Sequence, residues 1–156
     1  MNQIQVAENK SLKLMNVLER ELDMSLLEKS DIEAQKMENY VRNKGVKVIG
    51  PLIQGVFSKR QEEGQDVRVT LMRQCSTPLH SVEKPYGMKK EIRVKNCLYC
   101  RYTGPQEKIK FAYDKLYLLA FEEEIPLSGT SYTIFVGQDE ENDRITADVF
   151  MERADV

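Results

Sequence analysis

Residues 17–58 and 96–137 read as two copies of one unit at a constant offset of 79 residues. Each copy runs from an alternating strand through an amphipathic helix to a short turn and a second strand. Gly50 falls opposite Gly129, Met37 opposite Leu116, Val41 opposite Ala120, and Val56-Phe57 opposite Phe135-Val136, while Val17 to Met24 lies opposite Asn96 to Thr103. Such a repeat constrains the fold, because paired units bury faces that neither buries alone. It predicts a pseudo-two-fold domain whose seam could form a pocket.

The 156 residues fit one domain of ordinary size, with residues 1–11 a frayed, polar start and 12–156 the domain. Repeat halves are placed at 12–76 and 90–153, with a Pro- and Gly-bearing crossover loop at 77–89. A formal net charge of −2 supplies no global field to recruit nucleic acid or an acidic membrane. No apolar run approaches the ~20 residues of a membrane span and no signal-peptide pattern opens the chain, so a cytoplasmic location is expected.

In the first copy, Met15–Leu22 reads as a strand and Ser25-Leu-Leu-Glu28 as a capping box that starts a helix. Leu27, Ala34, Met37 and Val41 form its apolar stripe, and Gly45 is placed to end it in the left-handed conformation. Strands follow at Pro51–Ser58 and Asp66–Gln74. In the second copy Glu91–Thr103 alternates well, and Gly104-Pro105 opens a helix striped by Ile109, Ala112, Leu116 and Leu119. Ser131–Val136 and Arg144–Met151 then make a hairpin around the acidic turn 137–143. That turn lacks the alternating ligand pattern of a calcium loop and reads as a solvated tip.

Cys75, Cys97, Cys100 and His80 add up to a Cys3His inventory for zinc. Strand alternation, however, sends Cys97 and Cys100 to opposite faces, with no Gly or Pro between them to bend the chain. A redox CxxC normally opens a helix, which this one does not. Three reduced, buried thiols are expected, and no metal or cofactor.

The run Cys97-Leu-Tyr-Cys-Arg-Tyr-Thr-Gly-Pro-Gln-Glu, with Ala112-Tyr-Asp-Lys-Leu-Tyr, Leu127-Ser-Gly-Thr-Ser-Tyr-Thr-Ile-Phe and Ile145-Thr-Ala-Asp-Val-Phe, resembles the GyrI-like small-molecule-binding family. That family includes effector-binding domains of multidrug-sensing transcription activators. The likeness covers residues 91–153 well; the first half joins it mainly through the repeat. It implies an α+β fold, a duplicated strand-helix-strand-strand module forming one antiparallel sheet, with two helices on one face and a ligand cleft on the pseudo-two-fold axis.

Members of the family carry a carboxylate, usually Glu, on the last strand, where it holds cationic aromatic ligands. Here that position falls on Asp148, whose shorter side chain is a departure from the pattern. An acid inside an apolar strand needs a partner, and a ligand cation, a neighbouring Arg or Lys, or strand-end exposure would each supply one. Tyr99, Tyr113, Tyr132 and Phe150 are the aromatic residues placed to line such a cleft.

Three functions follow from the resemblance. The first is a stand-alone domain that senses or sequesters a small lipophilic molecule, a cation being one option, with no direct role on DNA because no helix-turn-helix pattern lies beside the repeat. The second is a protein-interaction or inhibitor module whose pocket has degenerated, with edge strands or the flank Tyr113, Tyr117 and Phe121 available for a homodimer. A hydrolase, with Asp148 as base and Tyr132 or Tyr99 as proton donor, is the least favoured, since no second acid is in evidence.

Overall fold

The computed structural model describes residues 4–62 and 64–155. Its strands are β1 (Gln5–Leu22), β2 (Val48–Gln61), β3 (Gly64–Cys75), β4 (Tyr86–Pro105), β5 (Leu127–Asp139) and β6 (Arg144–Arg153). Two helices, α1 (Ser30–Asn43) and α2 (Lys110–Glu122), complete an α+β fold with antiparallel strand pairing. The chain divides into two compact units, Lys13–Arg93 and the described residues of Met1–Leu12 with Val94–Val156.

In the Lys13–Arg93 unit, β3 lies between β1 and β2. The face toward α1 packs Leu18, Leu22, Leu71 and Cys75 against Met37 and Val41 of the helix. Leu27 and Ala34, the rest of the stripe read from the sequence, pack at its margin. In the Val94–Val156 unit, β6 lies between β4 and β5. Leu98, Cys100, Tyr102, Ile145, Ala147, Val149 and Met151 form the face that packs on Ala112, Leu116 and Ala120 of α2. Both stripes follow helical spacing, which is why the sequence located them.

The matching glycines mark one device used in both units. Gly50 (φ +74°) and Gly129 (φ +94°) sit where the register of the second strand shifts, between Ile49 and Ile53 and between Leu127 and Ser131. A bulge with a left-handed residue is the place where Gly fits without strain. Asn16 (φ +51°) and Asn96 (φ +56°) are a second matched pair, in the first strands. Asn tolerates this conformation better than most side chains.

The spacing of that second pair differs from the offset of 79 read from the sequence. It brings Asn16 opposite Asn96, so the first strands match at one residue more than the offset that fits the helices and glycines. A one-residue shift reverses every side chain on a strand, so Glu19 and Glu21 correspond to Tyr99 and Arg101.

The start of α1 is also corrected. Met24–Lys29 is a 3-10 turn, and the Ser25 hydroxyl donates to the Asp23 carboxylate instead of capping a helix. The first strand reaches back to Gln5 through residues read as frayed, and the strand expected from Glu91 begins at Tyr86. No helix among the described residues is long and apolar enough to cross a membrane.

Candidate functional site

The strand faces turned away from the helices carry the polar chemistry. On β4 and β6, Tyr99 pairs with Phe150 and Arg101 with Asp148, while Tyr132 and Ile134 of β5 pair with Phe150 and Asp148. These residues alternate with the ones that pack on α2, so they lie on the opposite face. Tyr99, Phe150 and Tyr132 thus form one row across three strands, and Arg101, Asp148 and Ile134 the next. The Tyr99 and Phe150 rings stand 5.0 Å apart at 48°, a tilted contact typical of interacting aromatics.

Asp148 is fully engaged. Arg101 donates from Nε to Oδ1 at 2.7 Å and from Nη2 to Oδ2 at 3.0 Å, and the Tyr99 hydroxyl donates to Oδ1 at 2.8 Å. This two-pronged geometry is the strong form of an Arg–carboxylate pair. Burial pushes the Asp148 carboxyl up, but the hydrogen bonds from Arg101 and Tyr99 and the guanidinium charge outweigh it and hold the group below its ordinary value. Burial and donation to the Asp148 carboxylate raise the Tyr99 phenol. The Arg101 side chain remains 54% exposed while that of Asp148 is only 14% exposed. A carboxylate made less basic is a poor general base near neutrality, which weighs against hydrolysis through Asp148.

Of the five residues singled out from the sequence, the structure brings four together: Tyr99, Tyr132, Asp148 and Phe150. Tyr113 is on α2, hydrogen-bonded to Thr133 among residues that pack on the helix side, so the sheet separates it from Asp148. Sequence reading also passed over Arg101, although its place two residues from Tyr99 on a strand puts both on one face.

A cleft of about 530 Å³ opens in the Lys13–Arg93 unit, lined by Glu19, Glu21, Phe57, Thr70, Tyr86 and Lys89 among others. Glu19 and Glu21, two apart on β1, share a strand face, and sequence reading left undetermined which face that is because the offset was out of step there. Lys89 reaches Glu19 at 3.3 Å and Arg68 reaches Glu21 at 3.8 Å, both from exposed positions. Ion pairs of this kind are weak and easily displaced.

The thiols are inert by position. Cys97 lies on the face of Tyr99 and Cys100 on the face of α2, where its Sγ sits 3.8 Å from the Ala112 carbonyl. Burial pushes the Cys97 thiol up to about 11 and the Cys100 thiol up to about 12. Among the described residues no three metal-binding side chains converge.

No protein-family model and no curated protein matches the sequence. Solved structures do match the fold. The EcmrR chain in its complex with DNA superposes with a TM-score of 0.66 at 12% identity, over 98% of this chain and 58% of the EcmrR chain. The isolated EcmrR C-terminal domain gives 0.64 at 12% identity, with 100% and 99% covered. SAV2435 bound to tetraphenylphosphonium gives 0.53 at 7% identity, with 98% and 94% covered. A hydrolase from Listeria innocua gives 0.56 at 11% identity, with 98% and 92% covered. This chain therefore spans about three fifths of the EcmrR chain and almost all of that protein's C-terminal domain. The chain thus shares the α+β fold of the EcmrR C-terminal domain and of SAV2435.

Proposed function

We propose that this chain is a binding domain for a small lipophilic organic molecule, built as two copies of one strand-helix-strand-strand module. The observation that carries the reading is the group Tyr99, Tyr132, Phe150 and Asp148 on the sheet face opposite α2, where a half-buried Tyr99 and the buried rings of Tyr132 and Phe150 stand beside an ionised carboxylate. Aromatic faces and a carboxylate together recognise ligands that are apolar over most of their surface and polar at one point. SAV2435, which shares the fold, was solved with such a molecule bound.

The test is calorimetric titration of the purified protein with a panel of lipophilic probes: tetraphenylphosphonium, a neutral aromatic and an aromatic carboxylate. Saturable binding of at least one probe, altered about tenfold or more by Asp148→Asn, is the expected result. Binding that ignores Asp148→Asn but is lost in the Glu19→Gln/Glu21→Gln double variant would move the seat to the cleft of the Lys13–Arg93 unit. Absence of binding by every probe would overturn the ligand-binding reading and direct attention to protein partners.

A further inference from the structure

Resting on that reading, we infer that Arg101 sets the charge preference of the Asp148 face, disfavouring lipophilic cations and favouring aromatic ligands that bear a carboxylate. A carboxylate that is to hold a cationic ligand must be open to it. Asp148 is closed on both oxygens, by Arg101 at 2.7 and 3.0 Å and on Oδ1 also by the Tyr99 hydroxyl. The protein's own guanidinium therefore occupies the place a ligand cation would take.

A cation that takes the guanidinium's place on Asp148 must expel Arg101, and its apparent affinity there falls by the fraction of molecules in which the pair is already open. An anion meets the opposite situation. A guanidinium has five N–H donors, of which Asp148 takes two, on Nε and Nη2. The remaining edge is exposed with the side chain. It can take a carboxylate in two-pronged fashion without breaking the Asp148 pair, while Tyr99, half-buried and stacked on the buried Phe150 ring, offers aromatic surface one row away. Lys or Met at position 101 would lose this geometry, Lys because it is a point charge without a planar fork.

The arrangement has no counterpart in the other unit. There the equivalent pairing is Glu21 with Thr70, so neither the carboxylate on the last strand nor the guanidinium beside it is repeated. The charge preference is thus a property of the Val94–Val156 unit alone.

The experiment compares tetraphenylphosphonium and 2-naphthoate on four proteins: wild type, Arg101→Met, Arg101→Gln, and Arg101→Met/Asp148→Asn. Arg101→Gln keeps a hydrogen-bond donor to Asp148 and guards against a variant that fails to fold. Wild type should prefer naphthoate. Each single variant should lose naphthoate affinity and gain at least about tenfold for tetraphenylphosphonium, and the double variant should lose that gain. Wild type that binds a probe while the single variants leave the cation affinity unchanged overturns the role of Arg101 and leaves the binding reading standing. A gain that survives Asp148→Asn places the cation elsewhere and overturns it too. If no protein of the four binds either probe, the inference falls together with the reading beneath it.

Discussion

At the scale of single residues, the decisive relation is one carboxylate held by one guanidinium and one phenol. It gives a pH dependence whose sign is fixed. The folded-state value of Asp148 lies below the ordinary carboxylate value of ~3.9, so the unfolded chain binds the proton more tightly. The stability contributed by the pair is full above that ordinary value and is lost as pH falls through the lower, folded-state value. Melting temperatures measured from about pH 5 down to about pH 2.5 should fall more steeply in wild type than in Asp148→Asn, which has no such proton to take up. Parallel curves would show that the pair adds nothing to folding. The sequence marked Asp148 as a residue needing a partner and named an Arg as one kind of partner. It did not say which, because Arg101 is 47 positions away and only the β4–β6 register brings the two opposite.

At the scale of elements, both helices and the second-strand glycines were legible, and for physical reasons. Helical stripes such as Met37/Val41 and Ala112/Leu116 report burial directly, and Gly50 and Gly129 report a backbone requirement. What stayed hidden was the left-handed backbone at Asn16 and Asn96, residues common in loops and therefore uninformative in a strand until φ is known. Missing it displaced the first strands by one residue and concealed that the common face of Glu19 and Glu21 is the cleft face. The capping box misled for a different reason: Ser25 found a nearer acceptor in Asp23, and a 3-10 turn took the place of the first helical turn. The glycine argument predicts a cost. Gly50→Ala and Gly129→Ala place a Cβ on a left-handed backbone, and each should destabilise by ~1–2 kcal/mol in urea denaturation, with m unchanged. Gly87→Ala, at a glycine whose φ is not positive and where only a Glu19 carboxylate oxygen at 4.0 Å would lie near a new Cβ, should cost less than either.

At the scale of the whole molecule, the three thiols are native reporters of opening. Cys75 belongs to the Lys13–Arg93 unit, and Cys97 and Cys100 to the unit that bears the Asp148 face. All three are fully buried, and burial raises each thiol above its ordinary value, to about 11 for Cys97 and about 12 for Cys100. Alkylation near pH 8 therefore requires a fluctuation that exposes the sulfur and restores its ordinary acidity. A ligand that binds only the closed form lowers the population of open molecules by the factor 1 + [L]/Kd, about a hundredfold at 100 times Kd. Mass-resolved alkylation with and without a saturating probe should then slow about a hundredfold at Cys97 and Cys100 if the ligand sits on the Asp148 face and labelling proceeds from equilibrium opening. Slowing at Cys75 alone would assign the ligand to the cleft of Glu19 and Glu21, and equal slowing at all three would show that the two units open as one.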